Sequence, residues 1–374
     1  VYLDSKLNLK EKIKLYFYFK QLPIFWISKI LNLHIPNNQN KRLSLNSAMK
    51  KIEYSDQTEK IIYEMVFELI PVCYLEGYNK LKNLSNKMGL PSKPKFIFTS
   101  YAYDYDDLFK MWAAENIEKG SKYIISQHGN NYGTHRYINP SVEETLADKF
   151  LTWGWKYSDI KYQKSFIFKT SGFSLKKNLK SKKLLIIQED VHHRYWTYDH
   201  YNLYNIYFEK LKNFTNHLSS DVKNEIVIRV HNSYKNHTFN EYKRWLDFDP
   251  NLNLELSTKN YWESIKNSKL VVFTYDTTGL LELLSLNIPF IAFWETGTDH
   301  LRDDVVIDYN LLKEQGIIHY STESASNKIH EIWDDVDKWW NKGSLQNARK
   351  IFCDKYARTV DEPAKEIKNI ILTI

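Results

Sequence analysis

Two polar turns in this chain combine side chains that can move protons with glycines that bring the backbone close to a ligand. The first is Gln127-His128-Gly129-Asn130-Asn131-Tyr132-Gly133, directly after the apolar run Lys122 to Ser126. An imidazole titrates near neutrality, so His128 suits general acid or base work, with Gln127 and Gly129 offering hydrogen bonds beside it. A lone histidine also commonly serves the fold, and that reading stays open. The second turn is Tyr275 to Gly279, with Glu282 following. Thr277 and Thr278 can cap a helix, Gly279 permits close backbone approach, and the N–H groups of a helix start attract phosphate. Glu282 suits the helix dipole and could also reach a ribose hydroxyl. A capped turn with no ligand is the plainer alternative. Carboxylates come from Asp104, Asp106 and Asp107 in YAYDYDD, where Asp107 is the expected cap of a helix starting at Leu108. Arg229 and His231 close another apolar run and could meet phosphate or a base.

The elements that must position these groups read as β-turn-α-β units. Leu270 to Thr274 and Ile288 to Trp294 are near-continuous apolar runs around a leucine-rich helix from Leu280, as in a parallel sheet covered on both faces. Lys95 to Ser100, a helix from Leu108 to Lys119 and Lys122 to Ser126 repeat the pattern, and α/β proteins place ligands at the carboxyl ends of such strands. Asp148 to Trp155, DKFLTWGW, reads as the last strand of an N-terminal domain. A second sheet starts near Lys183, continues through a helix at Tyr204 to Leu218 and strands at Glu225 to Val230 and Leu252 to Leu256, and ends in helices from Lys328 onward. The loop holding Asp190, His192, His193 and Arg194 is polar but lacks metal-ligand spacing. Residues 1 to 92 read as mostly helical, with the clearest apolar periodicity over Gln57 to Lys82 (Ile61, Met65, Leu69).

The chain has 374 residues, which suits two α/β domains better than one core. The expected division is 1–165, an acceptor-side domain with a helical start; 166–182, a linker; 183–345, a nucleotide-sugar domain; and 346–374, a helix packed back on the body. A net charge of +7, densest over Lys164 to Lys183, fits a phosphate-bearing substrate or an anionic membrane surface. Nucleic acid is not expected, because no recognition motif accompanies the charge. Cys73 and Cys353 sit far apart in apolar contexts and read as buried free thiols in a reducing cytoplasm. Ile13 to Leu31 is the nearest approach to a membrane span, but Lys14, Lys20, Pro23 and Lys29 interrupt it, leaving at most peripheral contact with the inner face of the membrane. Sequons at Asn83, Asn213 and Asn236 carry no weight without secretion.

Taken in order, FTSYAYDYDDLFKMWAAE, SQHGNNYG, DKFLTWGW and the Thr-rich turn with Glu282 resemble a family of bacterial surface-polysaccharide transferases. That family is in turn similar to the GT-B glycosyltransferases of capsule and lipopolysaccharide assembly, including those using CMP-activated Kdo or other nonulosonic acids. The resemblance implies two Rossmann-like domains facing an interdomain cleft, with the donor on the C-terminal one. It also implies sugar transfer from a nucleotide donor to a glycan or lipid-linked glycan acceptor, with no cofactor and no metal. Thr277, Thr278, Gly279 and Glu282 would hold the donor, Arg229 or His231 its phosphate or base, and Gln127, Gly129 and His128 the acceptor or leaving group. Asp106, ahead of Asp104 and Asp107, would face the anomeric carbon. One departure is Asn130, where a second glycine is usual after Gln-His-Gly. The alternatives are a polyol-phosphate transferase of teichoic-acid type and a non-catalytic glycan- or nucleotide-binding subunit.

Overall fold

The structure, a computed structural model, describes residues 2–4, 6–22, 34–49, 53–138, 140–189, 204–231, 240–256 and 258–373. Asp190, His192, His193, Arg194, Asn236 and the part of the Ile13 to Leu31 stretch from Pro23 on lie outside them. The chain divides into two compact units: Val1–Ser5, Tyr16–Ser126 and Leu146–Asp148 form one, and Lys6–Leu15, Gln127–Thr145 and Lys149–Ile374 the other.

The first unit carries three parallel strands in the order β1 (Tyr2–Asp4), β2 (Phe96–Thr99), β3 (Lys122–Ser126). The sequence placed β3 residue for residue, because its apolar run is bounded by Gly120 and the polar turn. It placed no strand before Lys95, and β1 corrects that; three residues are too few to show a period, and their pairing comes from β2, more than ninety residues on. Between β2 and β3 the helix Asp107–Glu118 buries Leu108, Phe109, Met111 and Trp112, which also fastens its indole N–H to Pro91 O at 3.0 Å. The periodic stretch from Gln57 is broken rather than continuous. A helix runs Gln57–Leu69, and Pro71, which has no N–H to continue it, starts the short turn before the next helix, Tyr78–Asn86. Arg42 gathers the free end of the first of these helices: its Nη1 donates to the carbonyls of Phe67, Glu68 and Ile70, while Nε and Nη2 grip Glu76 at 2.7 Å. A cation there satisfies carbonyls that have no helical partner.

In the second unit β4 (Lys149–Thr152) pairs parallel with β5 (Tyr162–Lys164), so the strand in DKFLTWGW is followed by one more before the basic segment. The main sheet is six-stranded and parallel, built from β6 (Leu184–Ile187), β7 (Ile226–Val230), β8 (Asn253–Leu256), β9 (Leu270–Phe273), β10 (Phe290–Phe293) and β11 (Ile318–His319). Its order is β11-β10-β9-β6-β7-β8. Counted from β6 as the first strand, this is the 3-2-1-4-5-6 arrangement of the Rossmann fold, read from the opposite edge. All residues of β6, β7, β9 and β10 are buried, as strands covered by helices on both faces must be. Chain direction reverses its march across the sheet between β6 and β9, so the crevice outside their carboxyl ends is where this topology places a ligand.

The C-terminal stretch forms two helices, Gly343–Tyr356 and Pro363–Leu372, where one was expected from residue 346. Pro363 fixes the second start. Trp339 and Trp340 are buried, Arg349 donates to Leu284 O at 2.8 Å, and Arg358 joins Trp153 O through its backbone N–H at 2.9 Å. Cys353 is buried, which pushes its thiol up to about 12, whereas Cys73 is only half-buried, against the expectation for both. No helix among the described residues is long and apolar enough to cross a membrane.

Candidate functional site

The turn after β9 lies at the reversal point of the sheet. Its first residue, Thr274, shares its hydroxyl with Tyr207 Oη at 2.6 Å, and that phenol also accepts the backbone N–H of Glu189 after β6 at 2.7 Å. The ends of β6 and β9 are thereby locked together. Thr277 is the N-cap of the helix Thr278–Ser285, as its sequence context predicts, though the helix begins at Thr278 rather than Leu280. Gly279 is required by space: a Cβ would fall 2.7 Å from the Phe273 ring and 2.9 Å from Tyr261 Oη.

Asp276, between these residues, is the hub of the site. Its Oδ1 accepts from Asn130 Nδ2 at 2.7 Å, and its Oδ2 from Tyr309 Oη at 2.8 Å. His300 Nε2 is 3.1 Å and His135 Nε2 3.5 Å from the same Oδ2. Burial alone would raise this carboxyl, but the two imidazoles outweigh it and hold Asp276 well below the usual carboxylate range. Its side chain is a largely covered anion with Asn130, Tyr309 and His300 as donors and His135 just beyond hydrogen-bond reach.

Residues 127–136 are the other wall. Gln127 is buried and spent on holding the chain: its Oε1 accepts from Trp153 N and Trp155 Nε1, both at 2.9 Å, and its Nε2 donates to Gly129 O at 2.9 Å. The N–H of Asn130 donates to Thr278 Oγ1 at 2.9 Å, and a Cβ on Gly129 would sit 3.3 Å from that hydroxyl. Asn130, the departure from a second glycine, thus contributes two bonds that glycine could not both make. Further on, His135 bridges antiparallel to Leu301, Arg136 N donates to His300 O at 3.0 Å, and Arg302 N donates to Thr134 O at 2.9 Å. This zipper places His135 against His300, with ring centres 4.7 Å apart.

His128 is half-buried, with Nδ1 3.1 Å from Tyr132 Oη; the same phenol donates to Glu143 Oε1. A phenol has one hydrogen. With that hydrogen on Glu143, Nδ1–H of His128 must be the donor to Tyr132, which leaves the lone pair on Nε2. Glu143 is itself placed by a capping box, in which Ser141 N donates to Glu144 Oε2 at 2.8 Å and Glu144 N to Ser141 Oγ at 3.2 Å. The result is an imidazole oriented through Nδ1 by a hydroxyl that is itself held by a carboxylate.

The remaining expected site residues lie as follows. Glu282 is buried and paired with Lys169 Nζ at 2.7 Å; burial pushes its carboxyl up and Lys169 opposes the shift. Arg229 is buried, with Nη1 on Ser264 Oγ at 2.9 Å and on Glu255, and Nη2 on Lys259 O at 2.8 Å. His231 is exposed just after β7. Asp104, Asp106 and Asp107 belong to the first unit and His128 to the second. The helix cap is Asp106, not Asp107: Asp106 is buried and accepts from Phe109 N at 3.0 Å, while Asp107 is the first helical residue and bonds Tyr74 Oη and Lys110 Nζ. The chain turns one residue earlier than its apolar pattern suggested. The amino-acid sequence alone assigns no role to Tyr132, His135, Glu143, Asp276 or His300, and it marks Asn130 only as a departure from glycine. Asp276 had a local signal, a carboxylate beside two threonines at a strand end; the others are joined only by folding.

A Rossmann-order sheet with a capped, glycine-bearing turn at its reversal point defines a doubly wound α/β unit of the kind that meets ligands at its strand ends. The chain belongs to the LIC12162 family transferases, which it matches over residues 1–371. Among solved structures it is similar to Anabaena Alr3699/HepE in complex with UDP and glucose, at 10% identity and a TM-score of 0.49 over 81% of this chain and 84% of that one. It is similar to TarM at 13% identity and a TM-score of 0.47 over 78% of this chain, spanning 57% of TarM's length. The wall teichoic acid polymerase TagF gives 12% identity and 0.43 over 75% and 72% of the two chains. No curated protein sequence matches the chain significantly.

Proposed function

We propose that this transferase is a GT-B-type glycosyltransferase moving a sugar, of CMP-activated nonulosonic or Kdo type, from its nucleotide to a bacterial surface glycan. The observation that carries the reading is the turn Thr274–Gly279 at the reversal point of the sheet, bonded through Asp276 and Thr278 to Asn130, two residues after His128, in the same unit. The N–H groups at the start of the helix Thr278–Ser285 are suited to the donor phosphate, with Thr277, Thr278 and Gly279 around it. Glu282 meets the ribose in this reading, and Arg229 or His231 the phosphate or base. For Arg229 that means exchanging a protein bond for a ligand bond.

In the transfer itself, His128 Nε2 takes the proton of the attacking acceptor hydroxyl, and Tyr132 and Glu143 stabilise the imidazolium that forms. Gln127 and Gly129 keep the imidazole in place. The charge on the departing phosphate is met by the helix N-terminus, so this step needs no metal. Asp106, with Asp104 and Asp107 beside it, is kept as the candidate carboxylate of the first unit; to act on a substrate it has to give up its cap on Phe109. The acceptor is a glycan or lipid-linked glycan, reached at the inner face of the cytoplasmic membrane.

Calorimetry with CMP, UDP, GDP and CDP-glycerol tests the donor class. Binding of CMP and its sugar conjugates above the others supports the proposal. Selective binding of CDP-glycerol replaces sugar transfer by polyol-phosphate transfer, and binding without turnover of any donor leaves a non-catalytic subunit.

A further inference from the structure

His135, Asp276 and His300 present three metal-ligating atoms within 4.8 Å of one another, on segments separated by up to 165 residues of sequence. From these we infer a site for a divalent transition metal of the zinc class, bound by two imidazole nitrogens and one carboxylate oxygen. The inference concerns binding and does not depend on the sugar-transfer reading.

Four observations support it. First, the separations fit: nitrogen atoms 3.1 and 3.5 Å from Asp276 Oδ2 are spaced as ligands about 2.0–2.1 Å from a shared ion, subtending angles of about 100–120° at it. The two nitrogens lie within 4.8 Å of each other. Second, His135 Nε2 is shielded from solvent and makes no hydrogen bond, since 3.5 Å to Asp276 is too long for one; a buried ring nitrogen aimed at a carboxylate without a bond lacks a partner that an ion would supply. Third, the carboxylate already has the outer contacts that metal sites use to fix their ligands. Asn130 Nδ2 holds Oδ1 and Tyr309 Oη holds Oδ2, both from outside the cluster. Fourth, the side chains keep only 12%, 5% and 19% of their surface exposed for His135, Asp276 and His300, so the ion would be largely desolvated yet reachable past His300. Two imidazoles select zinc, cobalt or nickel over magnesium or calcium, which prefer all-oxygen shells. Three protein ligands leave one tetrahedral position for water or an anionic oxygen.

The test uses the untagged full chain, stripped with chelator and dialysed. Cobalt(II) should bind one equivalent and develop the visible bands of a low-coordinate site, and zinc should displace it. His135→Ala and His300→Ala should each weaken cobalt binding by at least about 100-fold, Asn130→Ala by about 10–100-fold as an outer contact, and His217→Ala, on a surface helix, not at all. X-ray absorption of the cobalt-loaded wild type, which no variant can spoil by unfolding, should show two imidazole scatterers. Failure of the wild type to bind cobalt or zinc stoichiometrically, an all-oxygen shell, or full affinity in the folded His135→Ala and His300→Ala variants would each overturn the site and leave an Asp276–His300 hydrogen bond with His135 beside it.

Discussion

Replacing Gly133 by alanine should damage the turn that carries His128 by a route the structure makes explicit. Gly133 has φ +71°, a left-handed conformation that costs an L side chain about 1–2 kcal/mol. The added Cβ would lie 2.6 Å from two atoms of the Trp155 indole and 2.9 Å from a third, so the ring has to move. Trp155 is buried and its Nε1 donates to Gln127 Oε1 at 2.9 Å; overpacking of this kind costs about 1–3 kcal/mol, including a strained or broken hydrogen bond. The sum is about 2–5 kcal/mol, read as a lowered urea midpoint with unchanged slope. Because Gln127 also holds Gly129 O, the disturbance should reach the His128 turn. A cycle with Trp155→Ala separates the two terms: the steric part should vanish in the double variant, giving a favourable coupling of about 1–3 kcal/mol, while the left-handed cost stays. A Gly133→Ala protein within about 0.5 kcal/mol of wild type, or strictly additive variants, would refute the reasoning.

Three further outcomes are expected. Glu282→Gln should change stability by no more than about 1 kcal/mol, because Lys169 is 40% exposed and can be resolvated, yet weaken nucleotide binding by about 1–3 kcal/mol; a large fall in melting temperature with unchanged affinity would make Glu282 a fold residue. The grip of Arg42 holds the Glu76 carboxyl down to about 2, so its stabilisation is present above the unfolded value of about 4.3 and is lost as pH falls through about 2. Melting temperatures recorded across that window should drop less steeply for Glu76→Gln than for wild type, and equal slopes would contradict the assignment. Thr278→Val leaves the Asn130 N–H without its acceptor and should cost about 1–3 kcal/mol, whereas Thr278→Ser should be near neutral by the same unfolding assay; equal effects of the two would remove the hydroxyl from the account.

What the sequence made legible was local. The apolar runs of β3, β6, β7, β9 and β10 and the Thr277 cap are set by neighbours a few residues away, and each was readable from composition and punctuation. Strand order was not, because the placement of β9 beside β6, ahead of β7 and β8 on the other side, is decided by packing over the whole sheet. Short strands such as β1 and β5 borrow their form from a partner and have no period of their own. The same holds for chemistry. His128 and the Thr-rich turn announce themselves, but Asp276 gains its meaning from Asn130, His135 and His300, which only folding brings to it. The shift of the cap from Asp107 to Asp106 shows the finest limit, since adjacent aspartates before an apolar run offer the helix two equivalent starts.

Sugar transfer driven by His128 is read out by release of nucleoside phosphate from the nucleotide sugar that calorimetry selects, measured for wild type, His128→Ala and Tyr132→Phe. His128→Ala should bind the nucleotide as wild type does and lose about 10² to 10⁴ in rate, with Tyr132→Phe between the two. A folded His128→Ala protein that releases nucleotide at the wild-type rate would contradict it.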